Sequence, residues 1–181
     1  MKVTFLLALF IGLTSSLFSQ NKRFSLSTNL LNLAVSGPSA SLSYQYTPKL
    51  AFQVYGSTGN FNKYLPSSDY QFKTAILDVK YSPLDRLYVG PYLRYIDKRV
   101  QREGYVDHTG FISVSERDFH GKGISSGLLL GFKIPDTRFV NVEIFGGGGI
   151  GTFVRQRDYS GQEKQSAFLD GRVGILAGLK F

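Results

Sequence analysis

Residues 38–57 read PSASLSYQYTPKLAFQVYGS and contain two runs in which apolar and polar side chains alternate. In residues 39–46 every second side chain is apolar or aromatic, and residues 50–57 repeat the pattern. Only Thr47, Pro48 and Lys49 separate the two runs. A period of two is typical of a strand with one apolar face, and a short polar link between two such strands indicates a tight hairpin.

The same alternation recurs along the rest of the chain. Further runs cover residues 74–81, 87–95, 124–134, 140–151 and 169–181. Phe24 to Val35 supplies one more run, whose phase the pattern does not define. Pro91 removes one ladder donor, which predicts a local irregularity. With strands of about 9 to 14 residues, long enough to cross a bilayer when tilted, the sequence predicts an all-β fold, an eight-stranded antiparallel up-and-down transmembrane β-barrel.

The connections between these runs fall into two classes. Short turns are predicted near residues 47–49, 83–86 and 135–138. Long polar loops are predicted at residues 59–72, 97–121 and 155–166. Short periplasmic turns that alternate with longer external loops are typical of bacterial outer-membrane barrels. The link near Ser36 and Gly37 is the exception to this alternation.

The first 20 residues have the composition of a secretory signal peptide. Lys2 is followed by a short apolar run and then by small and polar residues up to Gln20. We therefore predict a cleaved signal at residues 1–20, a barrel domain at residues 21–181 and a location in the outer membrane of a Gram-negative cell. The chain has no cysteine, and its formal charge of +8 falls to +7 when Lys2 is removed.

One face of the predicted strands is polar and the other is apolar, which assigns residues to the lumen and to the lipid. The polar face should form a wet ionic network inside a barrel too narrow for an open pore. This predicted lumen network comprises Gln45, Asp78, Lys80, Arg94, Lys133, Asn141, Glu143, Asp170, Arg172 and Lys180. It contains three acids and five bases, so we expect water or loop acids to complete the charge balance.

Aromatic residues on the apolar face lie close to the short turns or to the C-terminus. They are predicted to form a membrane-facing girdle of Tyr44, Tyr46, Tyr81, Phe132 and Phe181. The chain ends on Phe181 with an alternating face, similar to the terminal strand signal of outer-membrane proteins. The outer-membrane assembly machinery is therefore an expected partner during biogenesis.

Two other functions fit parts of the pattern. With the apolar face turned inward, the chain would be a soluble lipocalin-like barrel that binds an apolar ligand. A lipid A-modifying barrel enzyme would need a His and a Ser on the wall, for which His120 with Ser125 or Ser126 are the candidates. A metal site is not predicted, because His108 and His120 with Asp107, Glu116 and Asp118 match no ligand spacing. No cofactor is predicted either.

Three segments carry a family resemblance. Ser41 to Leu50, Tyr88 to Tyr95 and Gly127 to Phe132 resemble a domain-of-unknown-function family of small bacterial outer-membrane β-barrel proteins, with OmpA/OmpX-like barrel architecture. The family often has Glu where this chain has Gln45. The resemblance implies the barrel fold and the outer-membrane location, and it implies no catalytic residue.

Together these patterns predict a non-enzymatic, monomeric outer-membrane protein with a structural or surface-interaction role. Any interaction would involve the external loops, of which 97–121 is the longest and carries mixed charge. Membrane lipid, with lipopolysaccharide as a further candidate, is the expected partner. Lys and Arg are scattered along the sequence without a polybasic cluster, so neither electrostatic capture of a partner nor binding of nucleic acid is predicted.

Overall fold

The computed structural model describes residues 23–34, 37–60, 68–106, 113–114, 116–134, 139–159 and 166–181. The predicted signal peptide lies outside these residues. Eight long strands carry the fold: β1 (Phe24–Asn29), β2 (Ser39–Thr47), β3 (Leu50–Asn60), β4 (Ser68–Tyr81), β5 (Leu87–Arg102), β8 (Arg117–Ile134), β9 (Val140–Asp158) and β10 (Ala167–Lys180). The elements α1 (Leu30–Ala34), β6 (Tyr105–Val106) and β7 (Ser113–Val114) are short.

The eight long strands close into a barrel in which every neighbouring pair is antiparallel. The order around the barrel is β1-β10-β9-β8-β5-β4-β3-β2, and β1 closes the ring against β10. The closing strands are joined at their ends by the amide of Phe24 and the carbonyl of Phe181, 3.1 Å apart. The predicted eight-stranded antiparallel barrel is confirmed. Because a closed ring has no free edge, every long strand has two partners.

Alternation along each strand places apolar side chains outside and polar side chains inside. On β3, for example, Phe52 and Val54 are exposed, whereas Gln53 and Tyr55 are buried. A small hydrophobic core lies within the lumen and comprises Tyr55, Ile76, Tyr88, Tyr92, Leu129, Phe145 and Leu176. The strand phases read from the sequence agree with the observed burial.

The predicted long loops are shorter than expected, and this part of the prediction was wrong. The strand β3 continues to Asn60, β5 continues to Arg102 and β9 continues to Asp158. Likewise β4 begins at Ser68 and β8 begins at Arg117, while β6 pairs with β7 within the longest predicted loop. These segments are polar on both faces, and for that reason the sequence predicts loops there. A strand can nevertheless be polar on both faces where it continues beyond the apolar part of the barrel wall.

The first strand also differs from its prediction. The run from Phe24 to Val35 is extended only to Asn29, after which α1 forms a single helical turn. The buried Asn32 fixes this turn, because its Nδ2 donates to the carbonyls of Gly37 at 2.8 Å and Thr58 at 2.7 Å. Among the described residues, no helix is long and apolar enough to cross a membrane.

Two local predictions concern turns and Pro91. Pro48 and Lys49 form the tight turn between β2 and β3, and residues 82–86 link β4 to β5. Residues 135–138 lie outside the described part of the chain. The registered pairs between β4 and β5 stop at Asp78–Tyr92 and resume at Tyr81–Val89. The irregularity expected at Pro91 is therefore observed, with the same register on both sides.

We name the two ends of the barrel by their connections. The end that carries the Pro48–Lys49 turn, the 82–86 link and Phe181 is called the short-turn end. The opposite end, where β3, β5 and β9 finish and β4, β8 and β10 begin, is called the loop end.

Candidate functional site: the ionic lumen

A bidentate ion pair crosses the middle of the lumen between β10 and β4. The guanidinium of Arg172 donates to the two carboxylate oxygens of Asp78 at 2.6 and 3.3 Å. Both side chains are almost completely buried. The guanidinium carbon of Arg172 also lies 4.7 Å from the ring centre of Tyr92 and 5.5 Å from that of Phe145. Planar bidentate pairing of this kind fixes both groups in one orientation.

A second pair lies nearer the loop end and is centred on Asp170. Its Oδ1 accepts from the Nη1 of Arg94 at 2.5 Å, and its Oδ2 accepts from the hydroxyls of Tyr92 at 3.0 Å and Ser125 at 2.6 Å. The Nε of Arg94 donates to the hydroxyl of Thr74 at 2.9 Å. Four strands therefore meet at one carboxylate and its guanidinium partner.

The third pair lies toward the short-turn end. The Nζ of Lys80 donates to Glu143 at 2.6 Å and lies 4.7 Å from the ring centre of Tyr88. The Nζ of Lys133 also lies near this ring, 5.9 Å from its centre, and donates to the hydroxyl of Ser82 at 3.2 Å. Tyr88 fits here because the residue that faces its ring is Gly131. A Cβ at that position would overlap the ring.

The remaining predicted lumen residues line a cavity of about 220 Å³ at the short-turn end. Asn141 and Lys180 line it, and Asn141 is buried with no hydrogen-bond partner within the described residues for its Oδ1. Gln45 also lines it, but its Nε2 donates to the carbonyls of Thr47 and Leu50 and so stabilises the hairpin turn. The structure thus brings six of the ten predicted residues into three ion pairs and places Lys133 beside one of these pairs.

The barrel wall around the mouth of the lumen contains residues that the sequence pattern did not identify. Asp97, Lys98, Phe119 and His120 fall in a predicted loop but lie in β5 and β8. The Nζ of Lys98 points inward and lies 5.0 Å from the ring centres of Phe153 and Phe168 and 5.8 Å from that of Phe119. Below it, a cavity of about 400 Å³ has the Arg94–Asp170 pair in its wall. Continuing the alternation of β5 beyond Tyr95 would have predicted this inward lysine.

The aromatic residues predicted to form a girdle lie on the outer surface at the short-turn end. Tyr46, Tyr81 and Phe132 are exposed. Tyr44 and Phe181 are brought together by Phe24, whose ring centre lies 4.9 Å from that of Tyr44 and 6.2 Å from that of Phe181. Phe24 is absent from the predicted girdle because the sequence does not define the phase of the first strand. The orientation of this surface in a membrane stays a prediction.

The residues proposed for an enzymatic site are not assembled into one. His120 contacts Asp97 at 2.8 Å on the outer wall, whereas Ser125 points into the lumen and donates to Asp170. Ser126 faces outward but lies six residues along the same strand, about 20 Å from His120 at about 3.3 Å per residue. Asp97 is thus an acid beside the imidazole of His120, which the sequence did not indicate. Neither Ser125 nor Ser126 is within reach of that imidazole.

The residues considered for a metal site are only partly covered by the structure. His108 and Asp107 lie outside the described residues. Among the residues that are described, no three His, Cys, Asp or Glu side chains are grouped so that they could hold a metal ion.

Fold and lumen together define a class: a closed eight-stranded antiparallel β-barrel whose interior contains three buried ion pairs and whose outer wall exposes large apolar side chains. Residues 5–172 match the family described as protein of unknown function, DUF3575. The chain belongs to that family, so the resemblance inferred from its motifs is confirmed. No curated protein matches the chain significantly.

Three solved structures of bacterial proteins are similar to the chain over most of its length. CarO of Acinetobacter baumannii has a TM-score of 0.48 at 13% identity, over 90% of this chain and 100% of that one. A major outer membrane protein from Thermus thermophilus has a TM-score of 0.46 at 17% identity, over 88% and 98%. CarO2 of Acinetobacter baumannii has a TM-score of 0.49 at 10% identity, over 88% and 97%.

Proposed function

We propose that the protein is a monomeric, non-enzymatic barrel that spans the bacterial outer membrane and has a structural or surface-interaction role. The observation that carries this proposal is the inverted distribution of polarity. Charged side chains are buried inside, while large apolar side chains are exposed outside, among them Leu128 at 64%, Ile150 at 69% and Leu169 at 89%. In water this apolar surface would be unfavourable and would promote aggregation. In lipid the same surface contacts acyl chains, so its exposure carries no such penalty.

The height of the apolar surface supports a membrane location. On β8 the outward side chains from Ile134 to Ile124 are apolar except Ser126, and this stretch covers ten residue steps. At about 3.3 Å per residue and a tilt of about 40°, it rises about 25 Å. That is about the height of the apolar band on outer-membrane barrels. We call this outward surface the apolar belt.

The side chains that cross the lumen favour a structural role over transport. The Arg172–Asp78 and Arg94–Asp170 pairs join side chains on opposite parts of the wall, and Tyr88 and Tyr92 fill the space around them. An eight-stranded barrel has room for side chains and little else. The soluble ligand-binding alternative is disfavoured by the same facts, since it requires an apolar interior.

The test is fractionation of cells that express the full-length protein, followed by gel electrophoresis with and without boiling. We expect the protein in the outer-membrane fraction, with a mobility that changes on boiling because a folded barrel resists detergent. In planar bilayers we expect no stepwise conductance. Recovery as a soluble protein would refute the proposal, and stable ion channels would refute the structural role.

A further inference from the structure

Two rows of outward-facing polar side chains cross four neighbouring strands just beyond the apolar belt, at the loop end. The pairing register of β4, β5, β8 and β9 defines both rows. The row next to the belt comprises Lys73, Asp97, Lys122 and Arg155. The following row comprises Gln71, Arg99, His120 and Arg157.

These rows concentrate positive charge on one part of the outer wall. We call their five permanent cations the basic band: Lys73, Arg99, Lys122, Arg155 and Arg157. Five bases and the single acid Asp97 give a formal charge of +4 when His120 is neutral. Four of these five residues are exposed. Lys122 is partly buried, with 39% of its side chain exposed. The acids Asp69 and Asp118 lie one row further from the belt, so the positive region is confined to a narrow level.

The basic band is a structured surface with a fixed centre. Asp97 accepts from the Nζ of Lys122 at 3.3 Å and contacts the Nε2 of His120 at 2.8 Å. This carboxylate holds both side chains along the wall. Asp97 also lines a cleft of about 450 Å³, together with Lys73, Arg99, His120 and neighbouring residues of β3 and β4.

An apolar groove lies directly on the belt side of the basic band. It measures about 660 Å³ and runs across β5, β8, β9 and β10. Leu93, Ile124 and Ile150 form its apolar walls, and its width comes from small side chains such as Ser126 and Ala167. A groove that faces lipid and ends beneath a row of cations has the shape of a site for an acyl chain with an anionic headgroup above it.

We propose that the basic band and this groove bind a phosphorylated glycolipid of the outer leaflet, of the lipopolysaccharide class. Its phosphates would contact Lys122 and Arg155, and an acyl chain would lie against Ile124 and Ile150. The inference rests on the proposed function, because the wall must face lipid. Arg and Lys suit this ligand, since charge-assisted hydrogen bonds to phosphate are among the strongest that surface side chains make.

The test uses the full barrel refolded in zwitterionic detergent micelles, with the folded fraction measured first by heat-modifiable mobility. Lipid A carrying its phosphates, the same lipid A after enzymatic dephosphorylation, and inorganic phosphate are then titrated separately. Binding is measured by native mass spectrometry. We expect phosphorylated lipid A to bind at least about tenfold more tightly than the dephosphorylated form, and more weakly as salt is raised.

Two double variants assign the site. Lys122→Gln with Arg155→Gln should weaken binding of phosphorylated lipid A by about tenfold or more, because two charge-assisted contacts are lost. The matched control, Lys49→Gln with Arg86→Gln, removes the same charge from the exposed short-turn end and should leave affinity within about twofold.

The possible results separate the two proposals. Equal binding by the Lys122/Arg155 variant and the wild type would overturn the inference, as would equal binding of dephosphorylated lipid A. Inorganic phosphate that binds as tightly as the lipid would overturn it in favour of a free anion. Failure of the wild type to show heat-modifiable mobility would instead refute the proposed membrane-spanning function.

Discussion

Replacing Asp170 by Asn should destabilise the barrel strongly, because this carboxylate and its partner Arg94 together join four strands. The substitution keeps the size of the side chain and removes its charge. Arg94 then loses its counter-charge, and Asn has one carbonyl oxygen where Tyr92 and Ser125 both donated to Oδ2. The Asp170 side chain is only 3% exposed and that of Arg94 is 12% exposed.

The magnitude follows from the burial of the pair. Breaking a buried ion pair by removing one partner costs about 3–5 kcal/mol. Arg94 lines a cavity of about 400 Å³, which is large enough for water, so we expect a cost at or just below the bottom of this range, about 2–3 kcal/mol. The double variant Asp170→Asn with Arg94→Gln should lose less than the sum of the two single variants, with a coupling of about 1–2 kcal/mol.

The assay is equilibrium urea unfolding of protein refolded into phosphocholine vesicles, followed by gel mobility. Asp85→Asn, in the exposed turn at the short-turn end, is the matched control and should change stability by less than about 0.5 kcal/mol. If Asp170→Asn were as stable as this control, the Arg94–Asp170 pair would not contribute to the folded state and the reasoning about the lumen would fail.

Three further substitutions test other parts of the barrel in the same assay. Glu143→Leu leaves Lys80 buried without its partner and should cost about 3 kcal/mol; unchanged stability would show that Glu143 is not a lumen counter-charge. Gly131→Ala forces its Cβ against the Tyr88 ring and should cost about 1–3 kcal/mol, an effect that Tyr88→Leu in the same chain should relieve. Leu128→Arg, at mid-height of the apolar belt, should cost about 2–4 kcal/mol in vesicles, and a neutral result would contradict the lipid-facing assignment.

The facing of every long strand except β1 could be predicted from the sequence, whereas the pairing of lumen charges could not. Alternation assigns a residue to the inside or the outside, and it does so locally. It does not give the height at which two distant strands meet. Arg172 and Asp78 are 94 residues apart in sequence, and Arg94 and Asp170 are 76 apart. Only the register of the closed ring brings these partners to the same level.

The basic band could not be predicted for the same reason, because its residues meet only through the register of the barrel. Lys73, Arg99 and Lys122 are separated by more than 20 residues from one another, so the sequence contains no polybasic segment and does not predict electrostatic binding of a partner. The strands also continue beyond the apolar belt with polar residues on both faces, which removes the alternation that would identify them. These segments therefore resemble loops in the sequence, although their backbones are paired.

The distribution of charge separates the part of the molecule that stabilises the fold from the part that can bind. The three lumen ion pairs each sum to zero, whereas the basic band together with Asp97 has a formal charge of +4, compared with +8 for the full chain. Buried pairs are screened little by salt, and exposed cations are screened within about 10 Å at 0.1 M ionic strength. Raising the salt concentration should therefore weaken binding of phosphorylated lipid while leaving the urea midpoint of the barrel nearly unchanged. If both changed together, the lumen would be more hydrated than its burial indicates, and the two roles could not be assigned to separate groups of residues.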